Sequence, residues 1–279
     1  MPLQLCSPAK LNLMLHITGQ RDDGYHLLET VFQFIDLCDY LEFECSDDGS
    51  IRRLTRNNAI AEKDDITLAA ARLLQSVCDT KMGVNIHIDK RIPVGGGLGG
   101  GSSNAATCLL ALNQLWKLGL SLDQLAELGL QLGADVPVFV HGHAAWATGV
   151  GECLTPIELE QPYYLVIHPK IVVSTAKIFS SGELTRNCDP ITIRAFLDGS
   201  GSNVCEPVVC GLYPQVAEAI DWLSQFAATS LTGTGACLFA GFDSPEQAGA
   251  VKSQVPERWD AQVAKGMNIS PLHQQLGLL

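Results

Sequence analysis

Residues 93 to 104 read Pro-Val-Gly-Gly-Gly-Leu-Gly-Gly-Gly-Ser-Ser-Asn, with six glycines in the seven positions from Gly95 to Gly101. So dense a run of glycine narrows the fold more than any other part of the chain. Without a Cβ the backbone can take positive φ and aim several N–H groups into one concavity. An apolar, helix-forming run begins at about Ser103. A helix there adds its unpaired N–H groups and the positive end of its dipole. Ahead of the loop, residues 83–90 place Val84, Ile86 and Ile88 in alternation, the period of a half-buried strand. Strand, glycine loop and helix in that order make an anion cradle set into an α/β layer.

Several loops share this glycine density, and context separates them. Gly95-x-Gly97-x-x-Gly100 satisfies the dinucleotide pattern. That site also needs a following strand that ends in an acid about 20 residues on. Residues 118–132 are instead helical in pattern. A Walker A loop needs a lysine before its Ser or Thr, and here Gly101 is followed directly by Ser102. Neither His-Arg-Asp nor Asp-Phe-Gly occurs, which excludes a protein kinase. A flexible linker would not lie between a strand and a helix. The loop therefore reads as the triphosphate cradle of a nucleotide-binding protein of another class.

A chain of 279 residues has room for two domains of ordinary size and core enough to need no staples. No segment is long and apolar enough to span a bilayer, and the N-terminus carries no charged leader, so a cytoplasmic location is expected. The net charge of −12 argues against nucleic acid or an anionic membrane as partner. It also makes each well-placed lysine notable. Ten cysteines form no Cys-x-x-Cys, and most, such as Cys108, Cys153 and Cys237, lie in apolar runs, so they read as buried free thiols.

Strands are expected at 3–6, 11–17, 30–36, 39–45, 83–90 and 164–168, with a turn-rich loop at 19–24. Helices are expected at 66–77, from about Ser103 to Lys117, and from a capping box at Ser121–Gln124 to a C′ glycine at Gly133. Further helices are expected at 215–226 and 245–255. Residues 231–239 read as a second glycine turn feeding a strand, and the Pro-rich stretch 155–162 as the domain boundary. His141-Gly-His143 would put two imidazoles on one face of a strand, but no third ligand has a metal-site spacing, so a polar strand end is expected.

Three segments then resemble the motifs of the GHMP small-molecule kinases: Ser7-Pro-Ala-Lys-Leu-Asn-Leu13, residues 93–104 and residues 231–237. Within that superfamily the chain resembles the branch that uses ATP to phosphorylate the 2-hydroxyl of a cytidine diphosphate-linked methylerythritol, in the non-mevalonate route to isoprenoids. That closer likeness rests on Ala9-Lys10-Leu11-Asn12, Asp23-Gly24-Tyr25-His26 with Glu29-Thr30, Gly133-Ala134-Asp135-Val136-Pro137 and Gly142-His143-Ala144. The resemblance implies an α+β fold of two domains. Residues 1–155 would form a unit like the second domain of ribosomal protein S5, and 156–279 a ferredoxin-like unit, with the site in the cleft.

The resemblance also implies roles. Asp135, an acid in a motif otherwise of Gly, Ala, Val and Pro, would be the catalytic carboxylate near the attacking hydroxyl. Lys10, on an apolar strand where an unpaired lysine is costly, would sit beside it and favour alkoxide character. Asn12, two positions on, would face the same way and hold the substrate diol. Tyr25 and Phe179 would sandwich the cytosine, His26 would hydrogen-bond it, and Thr175 would lie near the substrate phosphates. Pro93, Val94, Gly95, Gly96, Gly97, Leu98, Gly99, Gly100, Gly101, Ser102 and Ser103 would hold ATP, with one serine open to Mg²⁺. Residues 232–235 would approach the phosphates from the C-terminal side. One departure stands out: the chain has Asp65-Ile66 where the family commonly has Asn-Leu beside the adenine. Lys10 with Asp135 argues against a non-catalytic nucleotide-binding module. Tyr25 and His26 with Phe179 argue against a kinase of the mevalonate or homoserine type.

Overall fold

The computed structural model describes residues 2–22, 24–55 and 61–278. Asp23 of the Asp-Gly-Tyr-His motif lies outside the described residues. The chain opens with two long antiparallel strands, β1 (Leu3–Gln20) and β2 (His26–Ser46). Each was expected as two short strands. Register shifts between Pro8 and Ala9, Asn12 and Met14, and Ile17 and Gly19 explain the difference. Beside Pro8, which has no N–H to give, β2 carries the extra residues Asp36 and Leu37, and farther on β1 carries Leu13 and Thr18, so the alternation breaks in both strands while the pairing continues.

There follow β3 (Ile51–Arg53), α1 (Ile66–Val77), β4 (Gly83–Asp89), α2 (Gly100–Leu115), α3 (Leu122–Leu130), α4 (Val136–His141), β5 (Ala145–Thr148) and β6 (Cys153–Pro156). The α2 helix starts at Gly100, earlier than expected, because Gly99 caps it in the left-handed region at φ 70°. Both bonds of the Ser121 capping box are present at α3. Gln131, not Gly133, closes that helix. His141 ends a helix instead of a strand: Pro137 opens α4 and left-handed Gly142, at φ 72°, ends it. The second half holds β7 (Tyr163–His168), α5 (Thr175–Phe179), α6 (Ile193–Leu197), α7 (Glu206–Leu212), α8 (Pro214–Leu223), β8 (Thr229–Leu231), β9 (Leu238–Phe242), α9 (Pro245–Lys252), β10 (Asp260–Met267) and α10 (Pro271–Leu276). No described helix is long and apolar enough to cross a membrane.

A single sheet carries the order β3-β4-β2-β10-β7-β9-β8, with β1 and β5 also paired to β2. The joint is β10. It pairs with β7 along Asp260–Lys265 and with β2 at Gly266 and Met267. One core lies between α1, α2, α3 and α4 and the sheet of β1, β2 and β4, a second around β7 to β9, and a third, with Leu11, Leu98, Tyr164 and Phe239, joins the two. Sheet and core thus run on across the expected 155/156 division. Cys108 and Cys237 are buried, but Cys153 is exposed at the start of the short edge strand β6, where its apolar neighbours do not cover it.

Candidate active site

Lys10 and Asn12, two residues apart on β1, place their side chains on one face, toward the glycine loop and Asp135 at the start of α4. Lys10 is 2% exposed. Its ammonium donates to Asn12 Oδ1, to Gly97 O at 3.1 Å, and pairs with Asp135 Oδ2 at 3.2 Å. Phe32 covers it from the side, with the ring centroid 5.4 Å away. Three hydrogens meet three acceptors, so the ammonium has one orientation. Asp135 stands at the N-cap of α4, yet its side chain makes no capping bond. The carboxylate faces Lys10 and remains partly open to the cleft. Asn12 is fixed from its other end, where Nδ2 donates to Thr30 Oγ1 at 2.8 Å.

The glycine loop closes one side of this centre. Gly97 has φ +76°, and a Cβ there would stand 2.2 Å from Thr232 O; one on Gly99 would stand 2.8 Å from the Phe139 ring and 3.1 Å from Lys10 Cε. These are positions only glycine can fill. Gly97, Gly99 and Ser102 line a cavity of about 780 Å³ together with Lys10, Asn12 and Asp135. Val94, Gly95 and Gly101 are exposed, Pro93 half-buried, and Gly96, Leu98 and Gly100 buried. Ser103 is also fully buried and accepts a hydrogen bond from Ser7 Oγ at 2.8 Å, so of the two serines it is Ser102 that faces the cavity.

Residues 231–237 brace the loop from behind. Ala236 N donates to Gly95 O, Cys237 N to Gly96 O at 3.0 Å, and Thr232 Oγ1 to Gly97 O at 3.3 Å. Gly233 and Thr234 of the same turn line the cavity.

At the other end the cavity is walled by Tyr25, His26, Thr175 and Phe179. Thr175 Oγ1 lies 2.8 Å from Thr234 Oγ1. Tyr25 is 64% exposed. The ring stacked on Phe179 here is His26, at 5.0 Å and 20°. Burial first, and then the charge of Arg186, lower the His26 pKa below its usual value. Arg186 donates from Nε to His26 Nε2 at 3.1 Å and from Nη2 to Phe179 O at 2.7 Å. It was missed in the sequence because a lone arginine in a loop, 160 residues from His26, carries no local pattern.

Asp65, which departs from the family pattern, has a folding role that explains it. Its Oδ1 caps α1 through Thr67 N at 2.9 Å and its Oδ2 pairs with the half-buried Arg53. Among the described residues no group of three or more His, Cys, Asp or Glu could hold a metal by itself.

A buried lysine paired to a cleft-facing aspartate, beside a helix N-terminus behind a glycine loop, is an arrangement suited to phosphoryl transfer. The family models described as GHMP kinases N terminal domain and GHMP kinases C terminal match residues 65–143 and 183–261. A 4-diphosphocytidyl-2-C-methyl-D-erythritol kinase of Nitrosococcus oceani is 56% identical over 266 residues, 95% of each chain. The chain belongs to the GHMP kinases. A kinase of the same name from Pseudomonas fluorescens is 52% identical over 98% of this GHMP kinase and 97% of its own length. A crystal structure of 4-(cytidine 5'-diphospho)-2C-methyl-D-erythritol kinase superposes with a TM-score of 0.82 at 29% identity, covering 95% of this chain and 99% of the other. A mevalonate kinase structure, at 15% identity and a TM-score of 0.66, shares the fold.

Proposed function

We propose that this kinase, in the cytoplasm, transfers the γ-phosphoryl group of ATP to the 2-hydroxyl of 4-diphosphocytidyl-2-C-methyl-D-erythritol, in the non-mevalonate synthesis of isoprenoid precursors. The observation that carries the reading is the Lys10–Asp135 pair, 3.2 Å apart where the glycine loop meets the cavity. The cleft lies between a unit of residues 1–155 and one of 156–279, the division we adopt.

The glycine loop and the first N–H groups of α2 bind the triphosphate, the turn at 232–235 completes its cradle, and the 780 Å³ cavity takes the acceptor. Asn12 holds the diol. The acceptor oxygen forms a bond to the γ-phosphorus as the bond from that phosphorus to the β,γ-bridging oxygen breaks. ADP leaves with that electron pair, and the hydroxyl proton passes to Asp135. Lys10 stabilises the negative charge that gathers around the transferring group. Mg²⁺ would be held by phosphate oxygens and water, with the Ser102 hydroxyl facing the cavity beside them, and would neutralise charge on the phosphates. Tyr25 and Phe179 supply flat faces for the cytosine, His26 hydrogen-bonds its edge, and Thr175 contacts the diphosphate. Binding energy from that handle positions a remote hydroxyl.

Steady-state kinetics with ATP and a panel of alcohols test the reading. The cytidylyl compound is the expected acceptor, with free methylerythritol phosphate, mevalonate and homoserine poor ones. Turnover of mevalonate or homoserine equal to that of the cytidylyl compound would refute the substrate while leaving the chemistry.

A further inference from the structure

Arg186 lies in the loop between α5 and α6, yet four of the five N–H groups of its guanidinium are committed. Nη2 donates to Phe179 O at 2.7 Å and Ser181 O at 2.8 Å, Nη1 to Leu184 O at 3.1 Å, and Nε to His26 Nε2 at 3.1 Å. The first three bonds hold the C-terminal end of α5 and the turn after it. The fourth crosses to the first residue of β2. The same two segments meet again through the stacked rings of His26 and Phe179. One arginine therefore ties together two elements of the cavity wall.

The fourth bond decides the chemistry of that wall. A guanidinium offers donors and no acceptor, so the nitrogen facing it must present a lone pair. A neutral imidazole has one N–H, which then belongs on Nδ1. Burial, and then the nearby positive charge, lower its pKa and so favour the neutral ring. We propose that Arg186 sets the base specificity of this site by fixing His26 as an Nδ1–H donor to the N3 acceptor of cytosine. The proposal rests on the cytidylyl reading above. At N3 uracil carries a hydrogen of its own, so donor would meet donor and the buried pair would be left unsatisfied. Discrimination between two pyrimidines of the same shape then comes from a tautomer, and the tautomer comes from an arginine that need not touch the substrate.

Two measurements on the full-length protein test this. Long-range proton–nitrogen NMR of the labelled protein, with His26 assigned by comparison with His26→Gln, should show Nδ1 protonated and Nε2 bare. In Arg186→Met the His26 signals should move toward the Nε2–H form. A wild-type His26 protonated at Nε2 overturns the proposal and leaves the kinase reading standing. Next, kcat/KM is compared for the cytidylyl substrate and its uridylyl analogue. Arg186→Met should reduce the preference for cytosine by about 10- to 100-fold, the worth of one hydrogen bond and one mismatch. The change should sit in KM for the cytidylyl compound, with KM for ATP unmoved. Equal loss on both acceptors, with the preference intact, would make the arginine a brace only and overturn its role in specificity. A wild-type enzyme that phosphorylates neither compound, His26 being in the expected tautomer, would overturn the cytidylyl reading and the proposal with it.

Discussion

At the scale of single residues, Lys10 and Asp135 act as one unit. All three hydrogens of the ammonium are directed, one of them at a carboxylate that is free of any helix-capping duty. Asp135→Asn keeps the shape of the side chain and an oxygen acceptor for Lys10, so the melting temperature should change little. Turnover should fall by about 10²–10⁴-fold, the usual worth of a positioned base. Near-normal kcat in the folded variant would remove Asp135 from proton transfer. Lys10→Met is a harsher change, because it strands Asn12 Oδ1 without a donor, takes the counter-charge from Asp135 and leaves Gly97 O only the bond from Thr232 Oγ1. A loss of about 1–3 kcal/mol is expected in chemical denaturation. In kinetics, kcat should drop much further than KM for ATP rises; the opposite pattern would make Lys10 a ground-state phosphate contact. Lys10 and Asp135 could be singled out in the sequence because each is a charged residue in an apolar run, and Asn12 because it lies two positions from Lys10 in the same motif. Arg186 could not, since nothing around it in the chain departs from an ordinary loop.

Among the elements, the glycine loop depends on a partner far away in the chain. Its carbonyls at Gly95, Gly96 and Gly97 are held by residues 232–237, and its own N-terminal strand β4 only delivers it to the place. Gly97→Ala tests the closeness of that packing. Its Cβ would stand 2.2 Å from the Thr232 carbonyl at a positive φ, so the loop must move off the brace. Calorimetry should show ATP binding lost, while far-UV circular dichroism stays that of the parent. Retained ATP affinity would mean that the loop does not cradle phosphate. The loop, the helix after it and the capping box of α3 follow local rules and could be read from the sequence. The continuity of β1 and β2 could not, because bulges break the alternation on which strand recognition depends.

For the whole molecule, the decisive element is β10, which stitches the sheet of the first half to that of the second. Gly266 sits at the seam. A Cβ there would meet the Tyr164 ring at 3.0 Å and Gln33 at 3.3 Å, although the backbone is not left-handed. Gly266→Val should therefore lower stability by about 1–3 kcal/mol, the usual cost of overpacking. Its denaturant midpoint should fall, and kcat should fall with it, since the cleft is lined by residues from both sides of the seam. A variant with the parental midpoint would show that the seam carries no strain-sensitive contact.

Local sequence determined what the cradle is made of and which polar residues are out of place in apolar strands, because glycine content, helix caps and isolated charges act within a few residues of themselves. It carried enough motif to place the chain among the GHMP kinases. Only the tertiary structure decided that Ser103 turns inward to Ser7 and Ser102 outward, that Asp65 serves α1 and Arg53, and that His26 stacks on Phe179 while accepting a hydrogen bond from Arg186. Each of these is a choice among partners brought together from distant parts of the chain. Such a choice is made by packing and by the need to satisfy buried polar groups, neither of which leaves a pattern along the sequence.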